Sequence, residues 1–205
     1  RSRHSCWTAL PIFDYLYLVN DSVFGPITNI EQTLKDIENT KTDAAGLIIS
    51  KHRTHAFMES WFVRLNKKVF LSEWFYNFMN SVEKEENKSD ITIKYEHGLT
   101  NLIHNNQCSW GGLYTVRGRT TYNKPIYLFR HNIPFIKKMS FTRHNGACGD
   151  QIKYILKHCE TPAHNAVIKT ANRLYGVKYM DWLSTSNPIK IFMRKVKYIT
   201  KKIRK

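Results

Sequence analysis

The sequence predicts an α/β fold with a mixed sheet, followed by a helical and loop-rich C-terminal third. Three observations carry that expectation. Short apolar runs of strand length, rich in aromatic and β-branched residues, alternate with amphipathic segments up to about residue 116. Two later segments open with the cap-plus-proline pattern of a helix start, Thr161-Pro162 and Asn187-Pro188. A chain of 205 residues with 42% hydrophobic and 13% aromatic side chains can also bury a substantial core.

The elements follow in order. Phe13 to Val19 reads as a buried strand that stops at Asn20-Asp21, and Gly25-Pro26 then breaks the chain. Glu31 to Asn39 suits a short helix with Ile30, Leu34 and Ile37 on one face. Ala45 to Ile49 is a second strand. Trp61 to Leu65 is a third, with Trp61, Val63 and Leu65 opposite Phe62 and Arg64. Val69 to Val82 is aromatic-rich at near-helical spacing. The acidic run from Glu83 to Asp90 reads as a solvated linker. Lys94 to Asn105 is an amphipathic helix with Leu99, Leu102 and Ile103 inward. Gln107 to Val116 reads as a strand interrupted by Gly111-Gly112. Residues 117 to 149 suit irregular structure. Helices are expected over Asp150 to His158, from Thr161 to about Leu174 with Gly176 near its end, and after Asn187-Pro188.

This composition excludes several classes. It is too rich in buriable side chains for a disordered polycation, and 9 Gly with 6 Pro exclude a Gly-X-Y fibre. No apolar run approaches the roughly 20 residues of a membrane span. The formal charge of +16, from 32 Lys+Arg against 16 Asp+Glu, predicts an anionic partner. Eight basic residues, at 190, 194, 195, 197, 201, 202, 204 and 205, occupy the last stretch with no acid among them. Half of the net charge therefore belongs to one amphipathic arm. Its apolar stripe is Ile189, Phe192, Met193, Val196, Ile199 and Ile203. That arm suits an anionic membrane face, docking on its own domain with charges outward, or nucleic acid. The four cysteines, at 6, 108, 148 and 159, form no C-x-x-C pair and read as thiols of a reducing compartment. A zinc site built from cysteines and histidines is not asked for by their spacing.

Four segments carry candidate chemistry. Asn20 and Asp21 end a strand, where open α/β sheets bind ligands; Asp21 offers a hard oxygen for Mg²⁺ or Mn²⁺, and a plain capped turn is the alternative. Glu59 and Ser60 lie beside His52 and His55, but adjacent side chains on an extended chain point apart. There is also no G-x-S-x-G elbow, so a catalytic triad is rejected. Glu96 and His97 sit near a helix N-terminus, where a carboxylate is favoured electrostatically and also suits a general base for a sugar hydroxyl. Residues 117 to 143 interleave Arg and Lys with Tyr and Phe, as a stackable phosphate ligand would require, or as an ordinary basic surface over core aromatics.

Four runs in order resemble the rhamnan-synthesis glycosyltransferase family. They are FDYLYLVNDSVFGPI, GLIISKHRTHAFMESWFVRLNKKVF, KYEHGLTNLIHNNQCSWGGLY and NKPIYLFRHNIPFIKKMSF, and they span residues 13 to 141. The resemblance implies part of a GT-A-like fold that uses a nucleotide sugar, often with a divalent cation, Mg²⁺ or Mn²⁺. It implies that residues 1–149 form the catalytic and acceptor half and that 150–205 form a helical extension. Asp21 would be the metal ligand and Asn20 its neighbour toward the diphosphate. Ser22 and Gly25 would shape the loop. Glu59 and Ser60 would line the sugar side, with His97 close by, and Glu96 would deprotonate the acceptor. Lys137 and Lys138 would meet the diphosphate or an anionic acceptor.

The implied partners are a donor similar to dTDP-rhamnose, an oligosaccharide or lipid-linked glycan acceptor, and peripheral contact with an anionic membrane. Nucleic acid is not among them. The implied location is cytoplasmic, at the inner membrane face. Two departures stand out: Glu59 replaces the family's usual Gln, and Asn20-Asp21 is not a full D-x-D. Because the chain starts at Arg1, just ahead of this motif, it is expected to be a piece of a longer enzyme. The rival readings are a basic nucleic-acid-binding module and an inactive piece of the same fold.

Overall fold

The computed structural model describes residues 10–203 and shows an α/β protein with a mixed sheet. The chain packs into two compact units. One holds the residues up to Asn20 with Leu34–Gly118; the other holds Asp21–Thr33 with the chain from Arg119 onward.

The first unit is built on five strands: β1 (Tyr15–Val19), β3 (Ala44–Lys51), β4 (Ala56–Met58), β5 (Phe62–Asn66) and β6 (Trp110–Arg117). β3 is central. It runs parallel to β6 on one side and antiparallel to β5 and then β4 on the other, and β1 closes the β5 edge. Only a strand covered on both faces can be apolar throughout, and Ala44 to Ser50 are all buried. The same holds for β5, where Phe62, Val63, Arg64 and Leu65 are all buried. Both of the expected faces are covered, and Arg64 lies inside. Its guanidinium donates to the carbonyls of Thr42, Ile37 and Thr40 and lies 5.1 Å from the Tyr15 ring centroid.

β1 was expected to be buried, but it is a half-exposed edge strand paired only with β5 among the described residues. The glycines of β6 do not interrupt it. Gly112 lies against Gly46 of β3, where a Cβ would come within 2.5 Å of the Gly46 carbonyl. Residues 69–82 form two helices, Lys67–Phe70 and Glu73–Asn80, because Asn66 and Ser72 each cap a start by accepting from Val69 and Phe75 N–H. The acidic run is not a bare linker: Glu85 accepts from Lys94 at 2.7 Å and from the Tyr95 hydroxyl at 2.9 Å. The helix expected over residues 94–105 is a π-helix, Thr92–His97, followed by an α-helix, Gly98–Asn105.

In the second unit, β2 (Val23–Phe24) pairs antiparallel with β7 (Ile136–Lys137). Short helices fill the stretch expected to be irregular: Thr120–Asn123, Pro125–Arg130 and Lys138–Thr142. The helices Gly149–Lys157, Thr161–Tyr175, Val177–Ser184 and Pro188–Ile203 complete the unit. Asn187 caps the last by accepting from the Ile189 and Lys190 N–H groups. A core of Phe24, Ile27, Ile136, Phe141, Ile152 and Ile155 unites these pieces. Phe135 and Phe141 of the basic-aromatic segment are therefore core residues rather than a stacking platform.

Of the readings open for the arm, docking with its charges outward is the one corrected. Ile189, Phe192 and Met193 are exposed, while Arg194 is buried and pairs with Asp150 at 2.7 Å. The side chains at 195 and from 197 onward, and Cys6, lie outside the described residues. No helix among the described residues is long and apolar enough to cross a membrane.

Candidate functional site

In the first unit the site grows from an interruption in the sheet. Ile49 pairs with Met58 and Gly46 with Val63, so the partner strand carries two more residues than β3 does over the same span. Glu59 still donates its N–H to the Ile48 carbonyl, and the ladder then releases Ser60 and Trp61. Bulges re-aim side chains, and this one frees Ser60 from the alternation that would otherwise fix it. Its hydroxyl donates to Glu96 Oε1 at 2.7 Å.

Glu96 lies in the π-helix, a widened turn that shifts side chains relative to an α-helical register. Thr100 ties the two elements together a second time: its hydroxyl accepts from Met58 N–H at 3.1 Å and donates to the Glu96 carbonyl at 3.3 Å. Glu96 is thus anchored by backbone and side chain while remaining partly open to solvent.

Glu59 is buried, and both of its oxygens are engaged. Oε1 accepts from the Ser50 hydroxyl at 3.1 Å and Oε2 from the Trp61 indole N–H at 2.8 Å. A glutamine here would accept from the indole and donate to the Ser50 oxygen, because a hydroxyl can do either. Glu59 therefore holds the bulge that presents Ser60.

His97 packs on Phe57 with ring centroids 4.0 Å apart and meets His55 at 5.1 Å; His55 stacks on His52 at 4.9 Å. Burial, followed by the neighbouring His55 and His52, pulls the His97 pKa below its ordinary value. Asn20 follows β1 and donates its N–H to the Trp61 carbonyl at 3.3 Å, which ties the end of β1 to the bulge.

The second unit gathers the other five expected residues. The β2–β7 pairing sets Val23 opposite Lys137. Lys137 is buried, donates to the Ser22 hydroxyl at 2.9 Å and lies 5.7 Å from the Tyr122 ring centroid, which Arg143 also approaches at 5.6 Å. Lys138 reaches the fully exposed Asp21 at 3.7 Å. Gly25, at φ +144°, is required there because a Cβ would come within 2.5 Å of the Pro134 carbonyl. Residues more than a hundred positions apart thus form one local cluster.

Asp21 supplies a single hard oxygen donor with an ammonium beside it. Among the described residues, no group of three or more His, Cys, Asp or Glu is placed to hold a metal ion. Cys148 is an ordinary buried thiol, pushed up to about 11 by burial.

Sequence reasoning did not join Lys51, His52 and Arg53 to Arg117. They meet because β3 and β6 are parallel and in register, with Lys51 opposite Arg117. The run KHRTH between two strands was the available signal.

Comparison with known proteins supplies the family. Searches of curated proteins and of solved structures gave no match. The model of the family described as rhamnan synthesis protein F matches residues 3–203, nearly the whole chain. The α/β fold with its mixed sheet is consistent with part of a GT-A-like fold. The chain belongs to the rhamnan synthesis protein F family, which is related to glycosyltransferases.

Proposed function

We propose that this chain takes part in sugar transfer from a nucleotide-diphosphate donor, of the dTDP-rhamnose kind, to a glycan or lipid-linked acceptor during polysaccharide synthesis. The observation that carries the reading is the Ser60–Glu96 pair: a partly open carboxylate held in one orientation by a bulge and a π-helix. Glu96 accepts the proton of the acceptor hydroxyl, whose oxygen attacks the anomeric carbon as the bond to the diphosphate breaks. Ser60 keeps Glu96 in position, and Glu59 keeps Ser60 in position.

In the second unit, Lys137 and Lys138 offer positive charge to the diphosphate or to an anionic part of the acceptor, on a loop shaped by Ser22 and Gly25. Asn20, next to Asp21 in the chain, is assigned by this proposal to the diphosphate side. A divalent cation belongs to the proposal through Asp21 alone, because Mg²⁺ commonly takes one protein carboxylate and completes its shell with substrate phosphates. It would supply charge neutralisation. In this reading residues 1–149 carry the transferase role, and 150–205 form the helical extension whose exposed apolar stripe and bases suit a membrane face on the cytoplasmic side.

The test is to incubate the full-length protein with a panel of nucleotide sugars and Mg²⁺ or Mn²⁺ and to follow nucleoside diphosphate release. Asp21→Ala and Glu96→Ala are expected to abolish it while the protein stays folded.

A further inference from the structure

The carboxyl ends of the parallel strands β3 and β6 form an open pocket of about 510 Å³ lined by Lys51, His52, Arg53, Arg117 and Gly118. The lining carries three formal positive charges, one imidazole and no carboxylate. Ligands of open α/β sheets gather at this end of parallel strands. The pocket is also large enough for more than a bare phosphate.

From His52 a run of ring contacts leads through His55 to His97, and Glu96 is the next residue along the π-helix. After burial, His55 and His52 both act to lower the His97 pKa, and an anion in the adjoining pocket would offset part of that effect.

We propose that this pocket binds the diphosphate group of a phosphate ester, with Arg53 and Arg117 as its main ligands and Lys51 and His52 beside them. Guanidinium groups offer paired donors that match phosphate oxygens. Two ligand sources share this chemistry: the nucleoside diphosphate of a donor and the isoprenyl diphosphate of a lipid-linked acceptor. The choice of these probes rests on the transferase reading, whereas the binding measurement does not depend on turnover.

The experiment titrates the full chain with inorganic pyrophosphate, thymidine diphosphate, geranyl diphosphate, sulfate and a short single-stranded RNA by calorimetry. Pyrophosphate and at least one diphosphate ester should bind well ahead of sulfate. The stronger ester identifies the source. Arg53→Ala and Arg117→Ala should each weaken diphosphate binding about tenfold or more. The lysine variants at both positions should recover part of it, and Lys190→Ala should change nothing.

A second readout is the His97 ring signal in NMR. Saturating pyrophosphate should move its titration upward in pH, because the anion adds negative charge beside the His52–His55–His97 run that lowers it. Three results would overturn the proposal: sulfate binding as tightly as pyrophosphate, no loss in either arginine variant with the fold intact, or RNA binding that displaces pyrophosphate from a stronger site. Diphosphate binding without any sugar transfer would instead sink only the catalytic reading.

Discussion

Ser60 and Glu96, 36 positions apart, share a 2.7 Å hydrogen bond that joins a β-bulge to a π-helix. Both elements depart from a regular ladder where they meet. The bond fixes the carboxylate without burying it. Ser60→Ala should therefore lower turnover by about tenfold, the loss expected for one hydrogen bond to a charged group, with a smaller change in KM. Ser60→Thr, which keeps the hydroxyl, should restore most of it. Steady-state kinetics of the three proteins check this.

Asp43 gives a stability effect at acidic pH. Burial alone would raise its pKa, but Asn66, the Ser109 N–H and hydroxyl, and Lys68 all donate to it and hold it at about 2. A carboxyl depressed in the folded state stabilises the fold above its unfolded value near 4 and loses that contribution as pH falls toward 2. Denaturant midpoints between pH 5 and pH 2 should fall in the wild type and fall less steeply in Asp43→Asn, which starts lower.

Two adjacent glycines separate close packing from local flexibility. At Gly112 a Cβ would come within 2.5 Å of the Gly46 carbonyl and 2.8 Å of the Ile49 side chain, whereas at Gly111 it would make ordinary 3.4 Å contact with Thr42. Gly112→Ala should cost about 2–3 kcal/mol by forcing β6 away from β3. Gly111→Ala should be near neutral. Equilibrium unfolding in urea separates them.

These contrasts mark what was legible in the sequence. Apolar runs announced β3 and β5, and Asn187-Pro188 announced the last helix, because burial and capping are local properties. The exposure of β1 was not legible, because an edge strand and a central one share the same residues. Arg64 was set on the face opposite Val63, but its burial was not legible; the carbonyls of Ile37, Thr40 and Thr42 around it make that burial tolerable. Ser60 and Glu96 were each singled out, yet their contact depends on two irregular elements that no period reveals. The Lys51–Arg117 pairing depends on a parallel register between distant strands.

The last helix depends on Arg194, buried against the Leu183 and Trp182 carbonyls and paired with Asp150. A Cβ on Gly149 would collide with this guanidinium and approach the Leu183 carbonyl at 2.6 Å. Gly149→Ala should therefore destabilise the second unit by about 2 kcal/mol and increase amide exchange along residues 188–194 before the rest of that unit. Hydrogen-exchange mass spectrometry reads both effects.

The central claim is that Glu96 supplies a base for sugar transfer. The most direct measurement is acceptor-dependent nucleoside diphosphate release by the full-length protein and by Glu96→Gln, which keeps the shape and removes the base. The account predicts release from at least one nucleotide sugar, lowered by about a hundredfold or more in Glu96→Gln with donor binding retained. Equal release by the two proteins, or no release and no donor binding across the panel, would contradict it.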